Sequence, residues 1–393
     1  MLELFKLKPE TFGLDISDLS LKIIKLKKRK KELGLACFGE RKIKPGIIKQ
    51  GQIIKQDELT ENILEAIKEV KGEKLGTRYV ISSLPEEKAF FQVIKMPKIS
   101  AGDLRSAIIY EAENYIPIPL EKVYLDFQVI SPINNHLDHL DVLIAAIPKH
   151  TVDVYFSCLK SAGLEPQALE IESLAIARSL IKDGVTTSPV LLIDFGATKT
   201  SFIIFSGRSL RFTSSISVSS INFTEIISKS LGIDMAKAEK LKIKYGLEEK
   251  IKPKTKKEKS SIQKERSKIF EALVPALVDL TQQIKKHLHY YQTHSHGEHL
   301  SSDQKGKPKP LEEKSIPMGV SRILLCGGGS NLKGLGELLS LELKLPVEVG
   351  NPWVNILPGD KRGIPGLGLE KSLGYATVLG LALRGMLENN KDL

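Results

Sequence analysis

Two stretches constrain the fold of this chain more than any others. Positions 12–26 read FGLDISDLSLKIIKL and positions 191–205 read LLIDFGATKTSFIIF. Each is an apolar strand that closes on an acid, turns at once and runs back as another apolar strand, the signature of a tight β-hairpin. Aligned, Asp15 falls on Asp194, Ile16 on Phe195 and Ser17 on Gly196, and only the second copy keeps glycine at the turn. A chain that carries this unit twice is expected to hold two related lobes, and 393 residues exceed what one core usually fills.

Turn amides that point inward make a phosphate cradle, because they supply directed positive charge with no side chain in the way. One hairpin of this kind is an ordinary turn. Two at matched positions could hold a polyphosphate between them, with Asp15 and Asp194 flanking a magnesium ion through its waters. A third element, CGGGSNLKGLGELL at 326–339, places Gly327, Gly328 and Gly329 between a buried strand and a helix. Their bare backbone admits a planar group, and Asn331 stands where it could cap the helix that follows.

Periodicity divides the rest of the chain. A strand follows the first hairpin in LGLACFGERKI, then a helix in LTENILEAIKEV (59–70) and a strand in RYVISSLP. Residues 87–165 have their own strand–helix–strand–strand–helix rhythm, expected as a small α/β module inserted into the first lobe, 1–86 and 166–188. The second lobe is expected over 189–369 and a closing helix over 370–393. Two segments of low complexity, 250–268 and 292–315, are expected as polar loops.

The formal charge of +11 would favour nucleic acid or an anionic membrane face if the lysines shared one surface. Many lie instead in KLKKRKK (25–31) and in 250–268, and no aromatic interleaving or reading motif accompanies them. Cys37, Cys158 and Cys326 are far apart in apolar runs, which suits reduced buried thiols in the cytoplasm. No apolar run approaches a membrane span, and MLELFKLKPE is too short and charged for a signal peptide. His287, His289, His294, His296 and His299 have spacings compatible with zinc, but they straddle a helix end and a polar loop, so a solvated histidine-rich linker is the favoured reading.

The order hairpin, module, hairpin, helix pair, GGGS turn and closing helix resembles the actin-like ATPase superfamily. Within it the chain is most similar to the PilM family of type IV pilus assembly proteins. The likeness rests on EAENYIPIPLEKVYLDFQV (111–129), AEKLKIKYGL (238–247), GGGSNLKGL (327–335), NPWVNI (351–356) and SLGYATVLGLALRG (372–385). It implies an α/β fold of two lobes of duplicated β-sheet with flanking helices plus the inserted module. It also implies ATP and magnesium as ligands. Asp15 and Asp194 fall on the metal side, Ser17, Ser20 and Lys22 in the first phosphate loop, and Gly196, Thr198 and Thr200 in the second. Glu239 would face the ribose and Lys242 the adenine, with the three glycines and Asn331 on its other side. Without the resemblance, Glu239 and Lys242 are an exposed i,i+3 pair contributing a few tenths of a kcal/mol.

The first loop departs from the family's usual pattern near DIGSSSVK. Ser17 replaces glycine, and Asp18 stands where a serine is expected. A carboxylate roughly 6 Å from a phosphate charge, at an effective dielectric near 20, opposes binding by about 3 kcal/mol. Three functions are therefore weighed: an ATP-binding scaffold of pilus or related secretion machinery, a nucleotide-free adaptor of the same fold, and a metabolite kinase whose sugar-facing elements are not recognisable here. The resemblance further implies a PilN-like inner-membrane partner. Its cytoplasmic N-terminal segment would dock on the inserted module, with AFFQVI and YIPIP as a wall. Membrane contact would be indirect through that partner, and self-association stays open.

Overall fold

The computed structural model describes residues 9–29, 32–130, 139–247, 256–294, 319–357, 359, 361–364 and 366–387. The first lobe opens with a meander, β1 (Phe12–Ser17), β2 (Ser20–Arg29) and β3 (Glu32–Lys42). It is followed by the short hairpin β4 (Ile48–Lys49) and β5 (Gln52–Ile53), then α1 (Gln56–Lys68), β6 (Lys71–Gly72) and β7 (Tyr79–Leu84). The chain leaves for β8 (Phe90–Pro97), α2 (Ala101–Ala112), β9 (Val123–Ile130) and β10 (His139–Pro148). It returns through α3 (Lys149–Ser161), β11 (Glu165–Ile171) and α4 (Glu172–Leu180).

The second lobe repeats the plan with β12 (Thr186–Phe195), β13 (Thr200–Gly207), β14 (Ser209–Ile216), α5 (Ser220–Leu231), α6 (Met235–Tyr245) and α7 (Lys256–His294). It ends in β15 (Arg322–Cys326), α8 (Leu335–Leu343) and β16 (Val347–Val349), before α9 (Leu369–Leu373) and α10 (Ala376–Leu387). The sheet orders are β11-β7-β1-β2-β3-β6 and β14-β13-β12-β15-β16. In both, the hairpin strand bearing the acid lies between an antiparallel partner and a parallel one: β1 between β2 and β7, β12 between β13 and β15. The two hairpins of the sequence are thus the same piece of two related sheets.

The inserted sheet, β8-β10-β9, closes its own small core with α2 through Ile94, Met96, Ile108, Ala112, Val142 and Ile144. Helix α3 does not belong to that core. Tyr155, Cys158 and Leu159 pack among the first lobe's Leu14, Ile63 and Val80, so the module ends with β10 rather than at 165. The lysine-rich stretch expected as a loop over 250–268 is helical from Lys256 onward. The helix forms because Ile269, Leu273, Leu277, Leu280, Ile284 and Leu288 recur every three or four residues and are all buried against the second sheet. It runs to His294, three residues into the second expected loop; the rest of that loop lies outside the described residues.

The closing segment is two helices with Gly374 between them, and α10 packs on β1 and α4 rather than on the second lobe. Contact there is close: a Cβ on Gly380 would lie 1.8 Å from the Ala175 carbonyl oxygen, and one on Gly13 2.7 Å from that of Val378. Lys25, the first lysine of the 25–31 run, is buried, its Nζ donating to the Leu75 carbonyl at 2.7 Å and pairing with Glu10 at 2.7 Å. All three cysteines are buried and unbonded. Among the described residues no helix is long and apolar enough to cross a membrane.

Candidate functional site

Both hairpin turns lie at the carboxyl ends of β1 and β12, beside the parallel strands β7 and β15, where open α/β sheets receive ligands. The two turns face each other across a cleft of about 690 Å³. It is lined by Asp15, Ser17, Asp18, Ser20 and Lys22 of the first turn and by Asp194, Gly196, Thr198 and Lys199 of the second. Glu239, Gly327, Gly328, Gly329 and Asn331 line its far end. Twelve of the fourteen sequence-predicted positions line it; Thr200 and Lys242 do not. The Thr200 hydroxyl is fully buried and donates to the Val218 carbonyl at 2.6 Å. Lys242 is buried beneath the cleft wall, its Nζ reaching Ser220 Oγ at 2.7 Å, Thr224 Oγ1 at 2.8 Å and Glu239 at 2.8 Å. It is therefore not the exposed partner of Glu239 that spacing suggests: it braces α6 against α5, and desolvation lowers its pKa.

The first turn is a two-residue hairpin, with Ser17 paired to Ser20. Ser17 Oγ donates to the Ser20 carbonyl at 2.9 Å, a side-chain contact that glycine cannot make in the second copy. Asp15 accepts from Ser83 Oγ at 3.0 Å and lies 3.8 Å from Lys22 Nζ. Asp18 is engaged. Its two carboxylate oxygens accept the Gln50 and Gly51 amides at 2.9 and 3.0 Å, in the turn between β4 and β5 where both residues have positive φ. Two directed amide dipoles offset part of the charge that would oppose a phosphate.

In the second turn the Gly196 amide donates to the Lys199 carbonyl at 3.0 Å, and a Cβ there would lie 2.9 Å from that oxygen. The Gly196 and Ala197 carbonyls accept the first two amides of α5. Gly327 has φ +83° and touches Asp194; a Cβ would meet the carboxylate at 2.2 Å, so only glycine lets the platform close over the acid. Asn331 does not cap α8, whose cap position is Gly334. Its amide instead donates to the Glu370 carbonyl at 2.8 Å, tying the glycine turn to α9.

The residues missed in the sequence lie at the back of the cleft. Lys199 pairs with Glu172 at 2.6 Å and with Glu87. Burial, together with Glu87 and Asp15, pushes Glu172 up to about 8 against the pull of Lys199, while against its own burial Glu172 and Glu87 hold the Lys199 ammonium charged. Burial and Asp15 push Asp194 up to about 6, opposed by Lys199 and Lys22. Seven acids line the cleft against four lysines, so an uncompensated polyphosphate would meet net repulsion. Among the described residues no group of three or more His, Cys, Asp or Glu side chains could hold a metal. A magnesium ion here would take most ligands from phosphate and water, with Asp15 and Asp194 as outer partners. His287 is no metal ligand either: it is packed between Phe202 and Phe212, with centroids 4.8 and 5.6 Å away.

The sequence profile of the family described as "Type IV pilus assembly protein PilM" matches residues 13–302. The chain belongs to the PilM family. A solved structure described as a PilM-PilN type IV pilus biogenesis complex superposes with a TM-score of 0.72 at 26% identity, covering 96% of this chain and 98% of the other. MreB5 of Spiroplasma citri bound to AMPPNP superposes at 0.54 and 12% identity over 96% and 98% of the two chains, which shows the actin-like fold alone. Cell division protein FtsA of Pseudomonas aeruginosa is 25% identical over 245 residues, 60% of this chain and 51% of FtsA. FtsA of Enterococcus hirae is 24% identical over 221 residues, 53% of this chain and 46% of FtsA. The chain thus spans about half the length of the curated relatives it matches. PilM-family membership and the actin-like fold are consistent with each other and with the duplicated sheets.

Proposed function

We propose that this PilM-family chain is a nucleotide-holding scaffold of type IV pilus assembly, with ATP and magnesium in the cleft and a PilN-like inner-membrane protein as its partner. The observation that carries the nucleotide reading is the pair of matched hairpins facing each other beside a glycine platform. The Gly196 and Thr198 turn and the Ser20 and Lys22 turn would hold the phosphates. Glu239 would face the ribose, and Gly327, Gly328 and Gly329 the base. ATP is retained rather than rapidly turned over in this reading, because Glu172, an acid at the back of the cleft, is taken up by its pair with Lys199.

The partner reading is supported by the PilM-PilN complex among the similar structures and by the module's surface. The expected wall is only partly available: Phe90 and Phe91 pack into cores, whereas Tyr115 is exposed. Tyr124 on β9 and Phe156 on α3 are exposed close together, with Tyr124 bonded to Asp153 one turn before Phe156. β9 is also the edge of its sheet, and an edge strand beside apolar side chains suits an extended peptide. The segment bound there would be the partner's cytoplasmic N-terminal one, which would seat this chain at the cytoplasmic face of the inner membrane.

Calorimetry of the full-length chain with ATP, with and without magnesium, tests the nucleotide reading. Micromolar binding that requires magnesium is the expected result, since acids outnumber lysines in the cleft. No binding in either condition would leave the second reading, a nucleotide-free adaptor of the same fold, which the excess of cleft acids favours.

A further inference from the structure

We propose that Lys199 couples the occupancy of the cleft to the seating of the inserted module. The inference rests on the nucleotide reading and adds to it a route by which the module senses the ligand. β7 ends at Leu84 and β8 begins at Phe90, joined by the turn Glu86–Lys88. That turn is one of the two covalent connections between the first lobe and the module, and it carries two acids.

Glu86 is buried and fixed: its carboxylate accepts the Ser173 amide at 3.3 Å, and its own amide donates to Glu172 at 3.3 Å. Glu87 is the adjustable one. Its carboxylate pairs with Lys199 from the second lobe, and among the described residues it forms no other ion pair. Lys199 lines the cleft while Glu87 does not. Glu87 lies behind, where a Cβ on Gly51 would come within 3.0 Å of its Oε1. One ammonium thus serves two carboxylates of the first lobe from the turn that faces the phosphates.

An anion in the cleft enters as a third claimant on that ammonium. Glu172 keeps the Glu86 amide when Lys199 shifts; Glu87 keeps no ion partner and is the contact released. The released turn feeds β8, which packs along β14 of the second lobe. Arg211 of β14 fastens the module there through Asp141 of β10 at 3.1 Å. A change at the turn therefore reaches the joint on which the module sits, and a ligand on the module must alter the cleft by the same factor.

Hydrogen exchange of the full-length chain over residues 85–97, with and without MgATP, tests this. In the unaltered chain MgATP should speed exchange there about fivefold or more, the lower end of typical coupling between sites. Glu87→Gln should bind MgATP within about threefold of the unaltered chain by calorimetry. Its 85–97 segment should exchange fast without ligand and gain nothing from it, whereas Lys199→Arg should preserve the response. MgATP binding with unchanged exchange at 85–97, or an undiminished response in Glu87→Gln, overturns the coupling and leaves the nucleotide reading standing. Absence of MgATP binding to the unaltered chain overturns both.

Discussion

Asp18 shows how a single side chain changes meaning once its neighbours are known. As a bare charge near a phosphate it would cost about 3 kcal/mol, but its two oxygens are occupied by the Gln50 and Gly51 amides. Asp18→Ala should therefore destabilise the chain by about 1–3 kcal/mol, since two amides lose a charged acceptor. Its gain in MgATP affinity should stay below about tenfold. Urea unfolding and calorimetry on the same preparation check both numbers. Asp194 gives a pH prediction. Its folded pKa, about 6, lies above the ordinary carboxylate value of about 4, so between these pH values the folded chain binds the extra proton. Its contribution is fullest below that window and is lost as pH rises through it. Asp194→Asn should raise ligand-free stability by about 1–2 kcal/mol near neutral pH, discounted for water in the cleft, and by nothing near pH 4. It should also abolish magnesium-dependent ATP binding. A stability gain that is the same at both pH values would show that Asp194 titrates normally.

At the scale of elements, α4 and α10 cross where only glycine fits. In an exposed helix Gly→Ala gains about 1 kcal/mol. Gly380→Ala instead places a methyl 1.8 Å from the Ala175 carbonyl, and should cost about 1–3 kcal/mol by forcing the helices apart. Thermal unfolding measures it, and a neutral result would mean that the crossing is not tight in solution. Elements such as α10 and the two hairpins were legible because their signals are local: period, a closing acid, a glycine at a turn. The packing partner of α10 was not, since nothing within SLGYATVLGLALRG says that its apolar faces meet β1 and α4. The helix over 256–294 was half hidden for the opposite reason: its leading turns are lysine-rich, and only the later stripe from Ile269 shows the buried face. The Asn331 cap failed because Gly328–Asn331 form a short 3-10 turn of their own, and α8 starts only at Leu335. The cleft residues within a hairpin could be read off directly. Lys199 and its partners could not, because Glu172 and Glu87 lie 27 and 112 positions away in sequence and meet it only when the lobes close.

Two proposed sites share one frame: the cleft between the lobes, and the surface formed by β9 of the inserted module and α3 of the first lobe. They are separate in covalent terms: the module has its own core around Ile94 and Ile144, and its edge strand β9 lies at the far side of its sheet from β8. A substitution on that surface should therefore remove the partner without unfolding the cleft. Phe156 is 45% exposed, so Phe156→Asp sacrifices little burial and should change stability by less than about 1 kcal/mol. If the edge of β9 receives an extended apolar segment, the introduced charge would have to be desolvated under it. Affinity for a peptide of the partner's cytoplasmic N-terminal segment should fall at least about tenfold, while MgATP affinity stays within a few-fold. Gln128→Glu, on β9 itself but polar already, should have a smaller effect on the peptide and serves as the control for charge alone. Peptide binding that survives Phe156→Asp would move the partner's seat off this surface.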